Sequence, residues 1–73
     1  MLDEGTTELY WDATYAIVVS LIEHYPDVRP DHLGLEELEK LVKALPNFRD
    51  DPALVNERIL MDIQITWYEE ATQ

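Results

Sequence analysis

Two carboxylates stand side by side in FRDDPALVNERIL, residues 48 to 60: Asp50 and Asp51, immediately before Pro52. Such a pair can hold a divalent cation, attract a basic partner, or simply open a helix. The last reading suits Asp51. Its side chain can accept the free N–H groups of a first turn, while Pro52 fits the N1 position, where no N–H is required. Asp50 has no comparable duty in the sequence and is the freer candidate for a functional contact. Asn56 projects close to an apolar line, where its amide must find partners, and reads as a structural tie to the preceding turn.

Other chemistry is thinner. His24 and His32 lie near Asp27 and Asp31, and imidazole with carboxylate can ligate a divalent metal. The spacing matches no HExxH-like motif, and both histidines read as surface or helix-end residues. Ser20 lies inside an apolar run with no Ser/His/Asp arrangement around it. A carboxylate pair acting as acid and base needs a cleft, which a chain this short rarely builds. No Gly-rich phosphate loop is present, and no enzyme is expected.

These residues belong to a chain of 73 with 16 acids against 5 bases, a formal net charge of -11. That excess opposes phosphate-backbone binding, so nucleic acid is not an expected partner. Basic proteins and divalent cations are compatible with it, as is charge kept for solubility alone. The absence of cysteine excludes thiolate catalysis, Cys-ligated zinc and Cys-bound clusters. It also leaves helix packing to hold a small core. The apolar run AIVVSLI is far shorter than the ~20 residues that span a bilayer, and MLDEGTTE lacks the pattern of a secretory signal. A soluble, cytoplasmic protein with no membrane association is expected.

Residues 1–8 read as a flexible acidic segment and 9–73 as a single helical domain. Asp12 is positioned to cap a first helix, in which Ile17, Leu21 and Tyr25 recur at helical spacing with Val18 beside them. Its β-branched run would also suit a buried strand, but the spacing and a length of about twelve residues favour helix. Tyr25-Pro26 ends it. A short extended segment is expected around Leu33 and Leu35. A second helix over 36–45 follows, with Leu35, Leu38, Leu41, Val42 and Leu45 on one face. Pro46-Asn47 stops it. A third helix is expected from Asp51, with Val55, Ile59, Ile63 and Trp67 along one core line and Leu60 beside them. Leu54, Met61, Ile65 and Tyr68 form a second line, predicting a central helix packed on two sides. That second line also allows a dimer, although a monomer is expected. Trp11 and Trp67 read as core residues.

The combination Tyr10-Trp11-Asp12, Tyr25-Pro26-Asp27, Phe48 with Asp50-Asp51-Pro52, Asn56-Glu57-Arg58-Ile59-Leu60 and Trp67 with Glu69-Glu70-Ala71 resembles the IscX family of small acidic iron–sulfur cluster assembly proteins. The likeness runs from about Leu9 to Ala71. It implies a mainly α, three-helix domain of winged-helix type and a non-enzymatic adaptor that docks on a basic patch of a cysteine desulfurase to modulate sulfur transfer. The residues it implicates in docking are Asp12, Glu23, Asp27, Asp50, Asp51, Glu57, Glu69 and Glu70. It further implies no tightly bound cofactor and weak Fe2+ binding by carboxylates, for which Asp12, Asp27 and Asp50 are the candidate ligands. A ferrous-iron sensor or donor is the alternative role. Ala13, Ala16 and Val19 stand where the family carries helix-one acids, and Arg29 and Arg49 where acids often occur.

Overall fold

The computed structural model describes residues 8–72. The acidic segment expected over 1–8 therefore lies outside the described residues, apart from Glu8. Three α-helices follow one another: α1 (Thr14–His24), α2 (Leu35–Lys43) and α3 (Glu57–Ala71). Single 3-10 turns, Pro30–His32 and Pro52–Leu54, precede α2 and α3. No strand occurs among the described residues. The extended pairing is an isolated parallel bridge between Leu9 and Phe48, closed by Leu9 N–H on the Asn47 carbonyl (2.9 Å) and Arg49 N–H on the Leu9 carbonyl (3.0 Å).

The β-branched run of α1 is helical, as its spacing predicts, and buries Ile17, Val18 and Leu21 completely. Its start differs from the expectation. Ala13, not Asp12, occupies the N-cap, and no side chain caps the helix. The chain first makes a turn in which Ala13 N–H reaches the Tyr10 carbonyl at 2.9 Å. Trp11 is buried at the head of that turn, so the tertiary anchor displaces the helix start by one residue.

Between α1 and α2, Pro30 opens a 3-10 turn. Only Leu33 and Gly34 then have extended backbone, because Leu35 already enters α2. Gln64 on α3 donates to the carbonyls of Pro30 (2.9 Å) and Leu33 (2.8 Å). One amide thus satisfies two linker acceptors and ties the linker across α3. In α2, Glu37 Oε1 accepts from the Gly34 N–H at 3.3 Å, and Leu38 and Val42 face inward.

The single third helix expected from Asp51 is divided. Asp51 does cap, its Oδ1 accepting from Ala53 N–H at 2.9 Å, but what it caps is the turn Pro52–Leu54. Val55 is extended, and Asn56 then caps α3 by accepting from Ile59 N–H at 2.9 Å. A second capping residue five positions after the first restarts the helix, since Asn prefers extended backbone and a donor two or three residues ahead. The role of Asn56 is therefore structural, as expected, but it caps its own helix rather than tying it to the preceding turn.

On α3, Leu60, Ile63 and Trp67 are buried against α1 and α2, with Ile59 half-buried at the edge and Val55, just before the helix, half-buried beside it. Leu9, Trp11 and Leu45 complete the same core. Among the described residues no polar or charged residue is buried. The second apolar line does not pack. Leu54, Met61, Ile65 and Tyr68 are all exposed, so α3 has one covered side rather than two.

Truncating Trp67 to Ala is expected to cost about 3–5 kcal/mol, comparable to everything a core this small supplies, so the variant should lack a cooperative urea transition by circular dichroism. Asn56→Ala should lower stability by about 1 kcal/mol and remain folded. A wild-type midpoint in Asn56→Ala would show that α3 does not depend on that cap.

Candidate functional site

The buried indole of Trp11 organises the first group of acids. Its backbone N–H donates to Asp50 Oδ2 at 2.9 Å, and its ring Nε1–H donates to the Asp51 carbonyl at 2.9 Å. Asp50 Oδ1 accepts from Asp51 N–H at 2.7 Å. Phe48 meets the Trp11 ring edge-on with centroids 4.9 Å apart. Residues 9–11 and 47–51 thereby form a clasp held by backbone, carboxylate and aromatic contacts. Asp50, read from sequence as the freer acid, has both oxygens committed to it. Asp12 lies next to the clasp and is exposed.

Glu8 belongs to the same end and accepts from the Tyr10 hydroxyl at 2.6 Å. That hydrogen bond, with smaller contributions from desolvation and the charges of Glu8 and Asp50, raises the Tyr10 pKa above its ordinary value. Arg49 acts in the opposite sense. Its guanidinium also lies within reach of the Pro46 and Phe48 carbonyls, at 3.4 Å each.

Other acids gather elsewhere. Glu57 opens α3, and Glu36 lies in the first turn of α2, positions where the positive end of the helix dipole favours a carboxylate. Together with Glu39, Leu35, Val55, Asn56 and Leu60 they line a shallow cleft of about 260 Å³. Asp27 and Asp31 line a small cavity of about 200 Å³ with Tyr68, Ala71 and Thr72. Glu69 meets Asp31 across a neighbouring groove. Glu23 is exposed in the last turn of α1, and Glu70 is half-buried in the last turn of α3.

Ion pairing consumes few of these charges. Among the described residues, Asp31 pairs with Arg29 at 3.3 Å and lies 3.7 Å from His32, and Glu39 pairs with Lys43 at 2.8 Å. Asp12, Glu23, Asp27, Asp50, Asp51, Glu57, Glu69 and Glu70 have no cationic partner there. Nor do three acidic or histidine side chains converge closely enough among the described residues to hold a metal ion. Asp12, Asp27 and Asp50 form no such group, and neither do His24 and His32 with their neighbouring aspartates.

A sequence model for Iron-sulphur cluster assembly matches residues 9–72, which is nearly the whole chain. The chain belongs to the IscX family. The uncharacterized protein PA3808 of Pseudomonas aeruginosa is 37% identical over 62 residues, covering 85% of this chain and 94% of that protein. This IscX-family chain is small and mainly helical, and no helix among its described residues is long and apolar enough to cross a membrane.

Sequence reasoning missed Glu36 and Glu39 as neighbours of Glu57, and Asp31 as a neighbour of Glu69. The positions of Glu36 and Glu57 in first turns were legible. Their meeting depends on how α2 and α3 are set against each other.

Asp50→Ala should destabilise the fold by about 1–3 kcal/mol, since it leaves a part-buried donor unsatisfied. Asp12→Ala should change stability by no more than about 0.5 kcal/mol. Urea titrations followed by tryptophan fluorescence check both. Equal effects would mean that Asp50 is no more than a surface charge.

Proposed function

We propose that this IscX-family chain serves iron–sulfur cluster assembly as a non-catalytic acidic adaptor, docking on a basic patch of a cysteine desulfurase and modulating sulfur transfer. One observation carries the reading: the carboxylates at the clasp, Glu36 and Glu57 of the α2–α3 cleft, and Glu69 and Glu70 in the last turn of α3 lie outside the core without cationic partners among the described residues. A net charge of -11 on a domain of this size steers a cationic surface into encounter and sets its orientation, adding more to association rate than to final affinity. By occupying the desulfurase patch, the adaptor keeps other acidic partners off it. Fe2+ enters only as a loosely held counter-ion of these oxygens, since selectivity among divalent metals comes from converging ligands of defined geometry. On the same reading the three helices are a reduced winged helix, with the Leu9–Phe48 bridge in place of a wing.

The test is titration of a cysteine desulfurase with this protein at low and high salt. Binding should weaken steeply with salt, because exposed charges are screened beyond about 8–10 Å at physiological ionic strength. Reversal of Asp12, Glu57 and Glu69 to Lys together should slow association by roughly tenfold or more. Asp50 is left intact because its loss would loosen the clasp. No binding at low salt, or association indifferent to the reversals, rejects the proposal. The free protein should respond to salt in the opposite direction, its urea midpoint rising as self-repulsion is screened.

A further inference from the structure

The outward face of α3 carries Met61, Ile65 and Tyr68 at i, i+4 and i+7, with exposures of 45%, 53% and 45%. That spacing lays three large apolar side chains along one strip, opposite in kind to the acidic surface around it. The strip borders a shallow groove of about 420 Å³ lined by Asp31, Gln64, Ile65, Tyr68 and Glu69. Tyr68 and Asp31 also wall the adjoining cavity, which contains Asp27 and is lined on the linker side by Arg29.

We infer that this face is a docking groove for a cationic amphipathic segment of a partner protein, whose apolar side chains lie along Met61, Ile65 and Tyr68 while its Lys or Arg side chains reach Glu69, Asp31 and Asp27. Charge complementarity selects this occupant. Glu69 and Asp27 have no cationic partner among the described residues, and Asp62 lies one turn before Ile65 on the flank. Arg29, paired with Asp31, and Arg58, one turn before Met61, are the neighbouring bases. A second copy of this chain would bring the same apolar strip but also another net charge of -11, so self-association is opposed. The groove gives the partner an apolar anchor that salt does not screen, alongside the long-range attraction. The inference rests on the reading that the partner is basic, and adds where its apolar contact falls.

Two arms test it. In the first, a synthetic amphipathic helix of about 15 residues made of Leu and Lys is titrated into the isotope-labelled protein, beside the same peptide with Glu for Lys and one with Ser for Leu. The Leu/Lys peptide should shift the amides of Asp31 and of residues 61–72. The Glu peptide should shift none of them, and the Ser peptide should bind roughly tenfold or more weakly. The double variant Ile65→Ser/Tyr68→Ala, both exposed and so expected to fold, should lose those shifts. Shifts confined to the clasp or the α2–α3 cleft, equal binding of the Ser peptide, or an unchanged double variant would each overturn the inference. So would concentration-dependent self-association of the wild type that the double variant abolishes. In the second arm the double variant is titrated into desulfurase: faster dissociation with an unchanged association rate is expected. Wild-type binding that the double variant reproduces in full overturns the groove and leaves the adaptor reading intact. Absence of wild-type binding overturns the adaptor reading, and the peptide arm still decides the groove.

Discussion

The fold depends on one apolar seam, where Leu60, Ile63 and Trp67 of α3 are buried with Ile17, Val18 and Leu21 of α1 and Leu38 and Val42 of α2. No polar or charged residue is buried among the described residues, and the protein has no disulfide to supplement the packing. The seam must therefore outweigh both chain entropy and the mutual repulsion of 16 acids among 5 bases. It also leaves every carboxylate of the described residues outside the core. A core of aliphatic and indole side chains offers a carboxylate no cationic partner, so the acidic surface follows from how the domain is held together.

Two tethers then fix the parts the seam does not reach. The Trp11–Asp50–Asp51 clasp holds the N-terminal segment onto the loop before α3. The Gln64 amide holds the α1–α2 linker across α3 through two carbonyls. Both use a polar side chain to satisfy backbone groups of distant segments, a common way for short irregular stretches to be ordered without regular ladders. The clasp also shows that an acid can belong to the surface charge and to the scaffold together: Asp50 contributes to the field while accepting two backbone hydrogen bonds.

The acids are spread over the clasp, the α2–α3 cleft and the region beside the last turns of α3, with none of these groups tight enough for a metal. Such a distribution suits recognition by summed potential better than coordination at a point, since a field adds over separated charges whereas a metal site needs ligands within bonding distance. The exposed strip on α3 is the apolar counterpart of that field, and the only place on α3 where three large hydrophobes share an uncovered side.

The sequence by itself determined the helical class, the core line of each helix and the family, because periodicity, Pro positions and a spaced set of motif residues are local or linear properties. Helix spacing in the TYAIVVSLIEH segment outweighed its β-branched character, and Asp51 and Asn56 were both recognisable as residues with structural duties. Tertiary structure alone decided the rest. It moved the start of α1 past Asp12 by burying Trp11, split the expected third helix at Val55, and committed Asp50 to a backbone N–H 39 residues away. It left the second line of α3 uncovered, because an apolar stripe states that a face prefers burial but not whether another element of the same chain is there to cover it. It also brought Glu36 to Glu57 and Asp31 to Glu69. Which charges become neighbours depends on how helices are docked, and docking is set by the whole core at once.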